Sequence, residues 1–168
     1  MNNIVLCGFM GCGKSTVGKN LARKTGRKFI DMDSYIEKKA GMTVSKIFEK
    51  HGESGFRDME HEACKELCEL SGLVIASGGG AFTFKRNSDV FKGKDTIVLI
   101  DVPLDTIKLR LRNDKVRPLL QRPDKDKVMK ELYDKRLPLY KACADISVQG
   151  KNTPLKTAFE IIDAVNNR

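Results

Sequence analysis

The 168-residue chain has no tryptophan, only three tyrosines and two histidines, and just five prolines. Each scarcity removes a class. Without tryptophan, and with so few tyrosines, there is no aromatic platform of the kind on which single-stranded nucleic acid stacks. No apolar run approaches the roughly 20 residues needed to cross a bilayer. The first residues lack the basic region and long apolar stretch of a secretory signal. A soluble, cytoplasmic protein with no membrane partner is therefore expected. The five cysteines, Cys7, Cys12, Cys64, Cys68 and Cys143, are odd in number and form no CxxC pair, which argues against a disulfide framework. His61, Cys64 and Cys68 fall on one face of a helical stretch, but no fourth ligand accompanies them, and zinc is not expected.

Positive charge is abundant. Lys and Arg number 31 against 22 acidic residues, a formal net charge of +9. Such an excess favours anionic partners without naming one. Nucleic acid, ATP and a carboxylate substrate all suit it. The basic residues are spread along the chain rather than gathered, so nucleic acid is not the expected partner. The length suits one domain, residues 1–168, and no interface motif stands out, so a monomer is expected.

Short apolar runs alternate with segments of helical period. Strands are expected at 4–7, 28–31, 73–77, 96–102 and 144–148. Helices are expected over 14–25, ended by Gly26, over 53–70, 105–112 and 127–140, with Pro138 bending or ending the last. Ser34 and Glu37 have the spacing of a capping box. Val44, Ile47 and Phe48 mark a short helix that stops near Gly52. Leu155, Phe159, Ile162 and Val165 form the apolar stripe of a closing helix. The stretch 112–126 is charged and proline-bearing and reads as a mobile excursion. Alternating strands and helices imply right-handed crossovers and a mainly parallel sheet. The expected fold class is three-layer α/β, five parallel strands with helices on both faces. Ligands should gather at the carboxyl edge of such a sheet.

Three candidate segments follow strands. "GFMGCGKST" (8–16) fits GxxxxGK[ST], the phosphate-binding P-loop. Its glycines let backbone N–H groups face phosphate oxygens, and the helix that follows adds positive potential. Gly11, Cys12, Gly13, Lys14, Ser15 and Thr16 are thus candidates for ATP, with Lys14 at the β- and γ-phosphates and Ser15 on Mg²⁺. Asp31 and Asp33 end the second strand. As alternate residues of an extended segment they would share a face, one supporting Mg²⁺ and the other an acceptor hydroxyl. No acid ends the third strand, where Gly78, Gly79 and Gly80 stand instead, so Asp31 becomes the metal-side carboxylate. The three glycines allow a ligand to approach the backbone closely. Arg57 and Glu60, three apart on a helix, can hold a guanidinium ready for a carboxylate. Arg117 lies in the charged excursion and Arg136 precedes "LPLY"; each is a candidate for an anionic group.

Taken in order, "GFMGCGKST", "FIDMDSYIE", "FRDMEHEA", "SGGGA", "RPLL" and "RLPLY" closely resemble the shikimate kinase family over nearly the whole chain. The resemblance implies the P-loop kinase fold with a mobile lid. It implies transfer of the γ-phosphoryl group of ATP to the 3-hydroxyl of shikimate, with Mg²⁺. It implies that Asp33 contacts the acceptor hydroxyls and takes a proton, that Arg57 and Arg136 bind the carboxylate with Gly79 and Gly80, and that Arg117 reaches the ATP phosphates from the lid. Phe48, Phe56, Pro118 and Leu119 would wall the substrate pocket, and adenine would lie near Arg110 and the loop from Lys151 to Thr153. Cys12 stands where a small hydroxyl residue is more usual in the family. A thiol beside a lysine and a helix N-terminus is in an activating setting, so its alkylation is expected to inhibit and ATP to protect. Two other readings are compatible with parts of the pattern. One is another small-acceptor kinase, such as a gluconate kinase. The other is a P-loop module whose ATP state controls binding to nucleic acid or protein.

Overall fold

The computed structural model describes residues 1–115, 117–150 and 153–168, and leaves the side chains of Pro118 and Leu119 undescribed. The elements are β1 (Ile4–Cys7), α1 (Lys14–Thr25), β2 (Lys28–Asp31), α2 (Met32–Ala40), α3 (Val44–Cys68), β3 (Leu73–Ala76), α4 (Lys85–Asp89), β4 (Thr96–Asp101), α5 (Leu104–Leu111), α6 (Lys125–Cys143), β5 (Ile146–Gln149) and α7 (Pro154–Asn166), with short 3₁₀ turns at Ala81–Thr83 and Pro118–Gln121. The strands form one sheet in the order β2-β3-β1-β4-β5. All four pairings are parallel. Every residue of β1 and β3 is buried, and both strands read as unbroken apolar runs, as parallel strands covered on both faces must. The expected architecture is therefore present.

Parallel pairing puts all the strand carboxyl ends on one edge. Cys7, Asp31 and Ala76, which end β1, β2 and β3, stand at that edge. The opposite edge is fixed by Asn3, which is fully buried. Its Nδ2 donates to the Leu70 carbonyl at 2.9 Å and to Asp95 at 3.2 Å, its Oδ1 accepts from Leu73 N at 2.9 Å, and its own N–H donates to Asp95 at 2.7 Å. One side chain thus sets the start of β1 against the starts of β3 and β4.

Several local expectations are corrected. Ser34 and Glu37 do not make a capping box. Asp31 caps α2, accepting from Ser34 N, because β2 runs directly into the helix and leaves no room for a cap three residues later. Glu37 accepts instead from Val44 N at 2.9 Å, tying α2 to the start of α3. Pro138 neither ends nor interrupts α6, which continues five residues beyond it to Cys143. Pro138 is exposed, so its ring lies toward solvent. Leu155 and Phe159 are exposed, while Ile162 and Val165 of the expected stripe do pack against the core, where α7 also buries Thr157, Ala158 and Ile161. The break expected near Gly52 is real: Gly52 has φ 68°, ψ 179°, inside α3. The excursion at 112–126 holds the second 3₁₀ turn and the first residues of α6.

Candidate functional site

The P-loop leaves β1 at Gly8 and turns into α1 at Gly13. Three glycines carry positive φ, 143° at Gly8, 74° at Gly11 and 98° at Gly13. Two of them are also needed for space. A Cβ on Gly8 would sit 2.8 Å from both Cys12 Sγ and the Ile100 carbonyl, and one on Gly11 would meet Leu111 at 2.9 Å. The turn closes through Cys12 N–H to the Phe9 carbonyl at 3.2 Å. No side chain caps α1, so its first N–H groups are left for an anion. Lys14 Nζ lies on the loop's own oxygens, 2.7 Å from Gly8 O and 3.2 Å from Phe9 O. The Cys12 thiol, 3.7 Å from Lys14 Nζ, is beneath the loop rather than on it, with the residue 1% exposed. Its position removes the expectation of a reactive, inhibitable thiol.

The two aspartates reach the cleft differently from the way an extended strand would place them. Asp31 is the last residue of β2, and Asp33 lies in the first turn of α2. Ser15 Oγ donates to Asp31 Oδ2 at 2.8 Å. Asp33 Oδ1 and Ser77 Oγ are buried with no hydrogen-bond partner among the described residues. Burial holds the Asp33 carboxyl above the usual carboxylate range and the Asp31 charge adds to this, while Lys14 pulls the other way. A cleft of about 340 Å³ joins these groups, lined by Lys14, Ser15, Asp31, Asp33, Ser77 and Arg117 among others. Its chemistry fits a nucleoside triphosphate with Mg²⁺. Mg²⁺ takes few protein ligands, one or two carboxylates or hydroxyls together with phosphates and waters. Ser15 with Asp31 supplies that set, and buried polar atoms with no protein partner are satisfied by a ligand or by water.

Beside this cleft the triple glycine meets two arginines. Arg57 Nη1 is 2.6 Å from Glu60 Oε2, and its Nε is 3.5 Å from Glu53. Glu60 is 1% exposed; burial raises its carboxyl and the Arg57 guanidinium works against that. A Cβ on Gly80 would lie 2.7 Å from Arg57 Nη2, one on Gly78 would lie 2.7 Å from Asp33 Oδ1, and one on Gly79 would be 3.9 Å from Arg136 Nη1. The glycines are thus the floor on which Asp33, Arg57 and Arg136 converge. Arg57 also lies over the rings of Phe56 and Phe84, at 5.4 and 5.2 Å. Phe56 is buried, and Phe48, at the surface, packs on it with centroids 4.7 Å apart.

On the other side of the P-loop, Arg110 donates to the carbonyls of Gly11 at 3.3 Å, Cys12 at 3.4 Å and Gly150 at 2.7 Å. It borders a second cleft of about 240 Å³, shared with Gly11, Thr16, Gly150, Pro154 and Thr157. Thr153 caps α7 through Lys156 N at 3.4 Å. The rest of the expected adenine loop, Lys151 and Asn152, lies outside the described residues, as do the side chains of Pro118 and Leu119. Arg117 is ion-paired with Asp114, whose carboxylate also accepts from its backbone N–H at 3.0 Å. An apolar groove between α2 and α3, lined by Ile36, Ala40, Met59 and Ala63, contains none of the candidate residues.

Sequence reasoning missed Ser77, Phe84, Gly150 and Thr157 as lining groups. Ser77 alone carried a signal, standing at the end of a buried strand directly before the triple glycine. Tyr140 was also missed as a functional group. It is fully buried, and its hydroxyl donates to the Gly79 carbonyl.

The family model described as shikimate kinase matches residues 10–166. A shikimate kinase from Sulfurihydrogenibium sp. (strain YO3AOP1) is 41% identical over 169 residues, covering 100% of both chains. The structure of shikimate kinase from Acinetobacter baumannii in complex with shikimate superposes with a TM-score of 0.92 at 38% identity, covering 99% of this chain and 94% of that one. That of shikimate kinase from Aquifex aeolicus gives 0.87 at 38% identity, covering 98% and 96%.

Proposed function

The chain belongs to the shikimate kinase family, and from that premise we propose how its own residues divide the work. The enzyme transfers the γ-phosphoryl group of Mg²⁺-ATP to the 3-hydroxyl of shikimate, giving shikimate 3-phosphate and ADP, a step of aromatic amino acid biosynthesis. The acceptor oxygen attacks the γ-phosphorus, the bond from that phosphorus to the β–γ bridging oxygen breaks, and the hydroxyl proton passes to Asp33. A carboxyl held above its usual range is a stronger base once ionised, as this step requires. Gly11 to Thr16 cradle the phosphates by their backbone, Lys14 neutralises them, and Arg117 meets them from the 112–126 segment acting as a lid. Ser15 and Asp31 hold Mg²⁺, which when bound offsets phosphate charge. Because phosphoryl transfer runs through a loose transition state, placement and charge neutralisation carry most of the rate.

Arg57 and Arg136 clamp the shikimate carboxylate, Gly78, Gly79 and Gly80 offer backbone at van der Waals range, and Phe48, Phe56, Pro118 and Leu119 exclude water. Arg110 and Thr153 border the adenine. The chain works as one domain, a cytoplasmic monomer without nucleic-acid partners. The observation that supports this division is the triple glycine, which has Asp33 over one residue and an arginine over each of the other two. An acceptor with one carboxylate and several hydroxyls suits such a floor. Arg57→Ala and Arg136→Ala should each raise the KM for shikimate roughly tenfold or more, as loss of a charge-assisted hydrogen bond predicts, with the KM for ATP little changed. An unchanged shikimate KM in both variants would remove the clamp.

A further inference from the structure

Two side chains one helical turn apart on α6 address Gly79. Arg136 lies near the place a Gly79 Cβ would occupy, and the hydroxyl of Tyr140 donates to the Gly79 carbonyl. Residues spaced i, i+4 share a helix face, so α6 presents a guanidinium and a phenol together. Burial pushes the Tyr140 hydroxyl well above its ordinary range, and the positive charge of Arg136 works against that rise.

The Gly79 carbonyl and the Gly80 N–H belong to a single peptide unit. That unit is planar and trans, so its carbonyl and N–H point in opposite directions. Anchoring one end fixes the other. Glycines on both sides would otherwise let this peptide rotate at little cost. Ala81 N–H bonds to the Gly78 carbonyl at 3.1 Å and Thr83 N–H to the Gly80 carbonyl at 3.2 Å, whereas no acceptor among the described residues meets the Gly80 N–H. On the side of Gly80 lies Arg57, tethered in turn by Glu60.

We propose that Tyr140 is a positioning residue for the acceptor carboxylate. Its hydroxyl locks the Gly79–Gly80 peptide so that the Gly80 N–H stays directed away from α6 and available to the carboxylate that Arg57 and Arg136 bind. The inference rests on that clamp. It assigns Tyr140 no contact with the reacting atoms.

Tyr140→Phe tests it, because the ring and its packing remain and only the hydroxyl is lost. Shikimate KM should rise about five- to hundredfold, the range expected for losing one buried hydrogen bond and leaving its carbonyl unpaired, while kcat and ATP KM stay within twofold. Shikimate methyl ester, whose carboxylate charge is masked, gives the decisive second readout. The preference for shikimate over its ester should shrink in Tyr140→Phe, whereas a merely structural role would lower turnover of both acceptors equally. Arg136→Ala is run in parallel. If Arg136→Ala raises shikimate KM and Tyr140→Phe leaves it unchanged, or if Tyr140→Phe affects acid and ester equally, the role of Tyr140 is overturned. If Arg136→Ala has no effect either, the clamp itself is wrong.

Discussion

Gly80→Ala adds one methyl group at the floor of the acceptor pocket. Gly80 has φ −97° and ψ −9°, a conformation open to any L-residue, so the backbone is not strained by the change. The new Cβ would lie 2.7 Å from Arg57 Nη2, 2.8 Å from Nη1 and 3.0 Å from Cζ. To reach 3.4 Å the guanidinium must withdraw by about 0.7 Å. It has little freedom to do so, because Glu60 grips Nη1 at 2.6 Å, Glu53 lies 3.5 Å from Nε, and the rings of Phe56 and Phe84 lie against it. A displacement near 1 Å can remove most of the benefit of a positioned group. One charge-assisted hydrogen bond, ~1.5–3 kcal/mol, corresponds to roughly a ten- to hundredfold change at about 1.4 kcal/mol per decade. Steady-state ADP release at saturating ATP should therefore show shikimate KM raised by about that factor. ATP KM should be within twofold. A folded Gly80→Ala enzyme with wild-type shikimate KM would show that Arg57 does not meet the acceptor from this position.

Other consequences concern charge, stability and reactivity. The Asp33 carboxyl is held above its ordinary range by burial first and by Asp31 second, so Asp31→Asn should lower its midpoint in a carboxyl-resolved NMR titration, and an upward shift would contradict this. A carboxyl whose native pKa exceeds its unfolded value gives up stability as pH rises between the two. Asp33→Asn should thus raise the unfolding midpoint at neutral pH, lose that advantage below the ordinary carboxylate range, and abolish most turnover. Asn3→Ala should cost roughly 1–3 kcal/mol in urea denaturation, since it leaves the buried Leu73 N–H unpaired and takes from Asp95 one of its two bonds to Asn3; a loss under about 0.5 kcal/mol would show that the network is not needed. Cys12, packed under the P-loop, should resist iodoacetamide in the folded enzyme and react only on unfolding, as mass spectrometry of the peptide can show.

Much of this could be read from residue order because the informative patterns are contiguous. The P-loop follows β1 within one short segment, and its glycines, lysine and serine each have a separable physical duty. The inner strands β1, β3 and β4 announce themselves as short apolar runs because the middle of a parallel sheet is buried on both faces. Pattern reading failed where two local solutions competed. Asp31 and Ser34 are both competent caps, and only the direct passage from β2 into α2 chose between them. Phe159 has the period of a core residue, yet α7 turns Ala158 and Ile161 inward, leaving the Phe159 ring under Lys24 Nζ at 5.4 Å. Pro138 reads as a stop, but a helix whose other face is anchored by Tyr140 and Cys143 tolerates it. Least legible were contacts between distant segments. Tyr140 and Gly79 are 61 residues apart, and the unpaired Ser77 hydroxyl gains meaning only when β1, β2 and β3 lie side by side.

Shikimate as the acceptor is the property that everything above depends on. Purified enzyme with Mg²⁺-ATP should release ADP slowly alone, and at least a hundredfold faster with shikimate, as the rate supplied by a correctly held acceptor requires. Gluconate at the same concentration should give no such stimulation. Equal release with and without shikimate, or a larger response to gluconate, would contradict it.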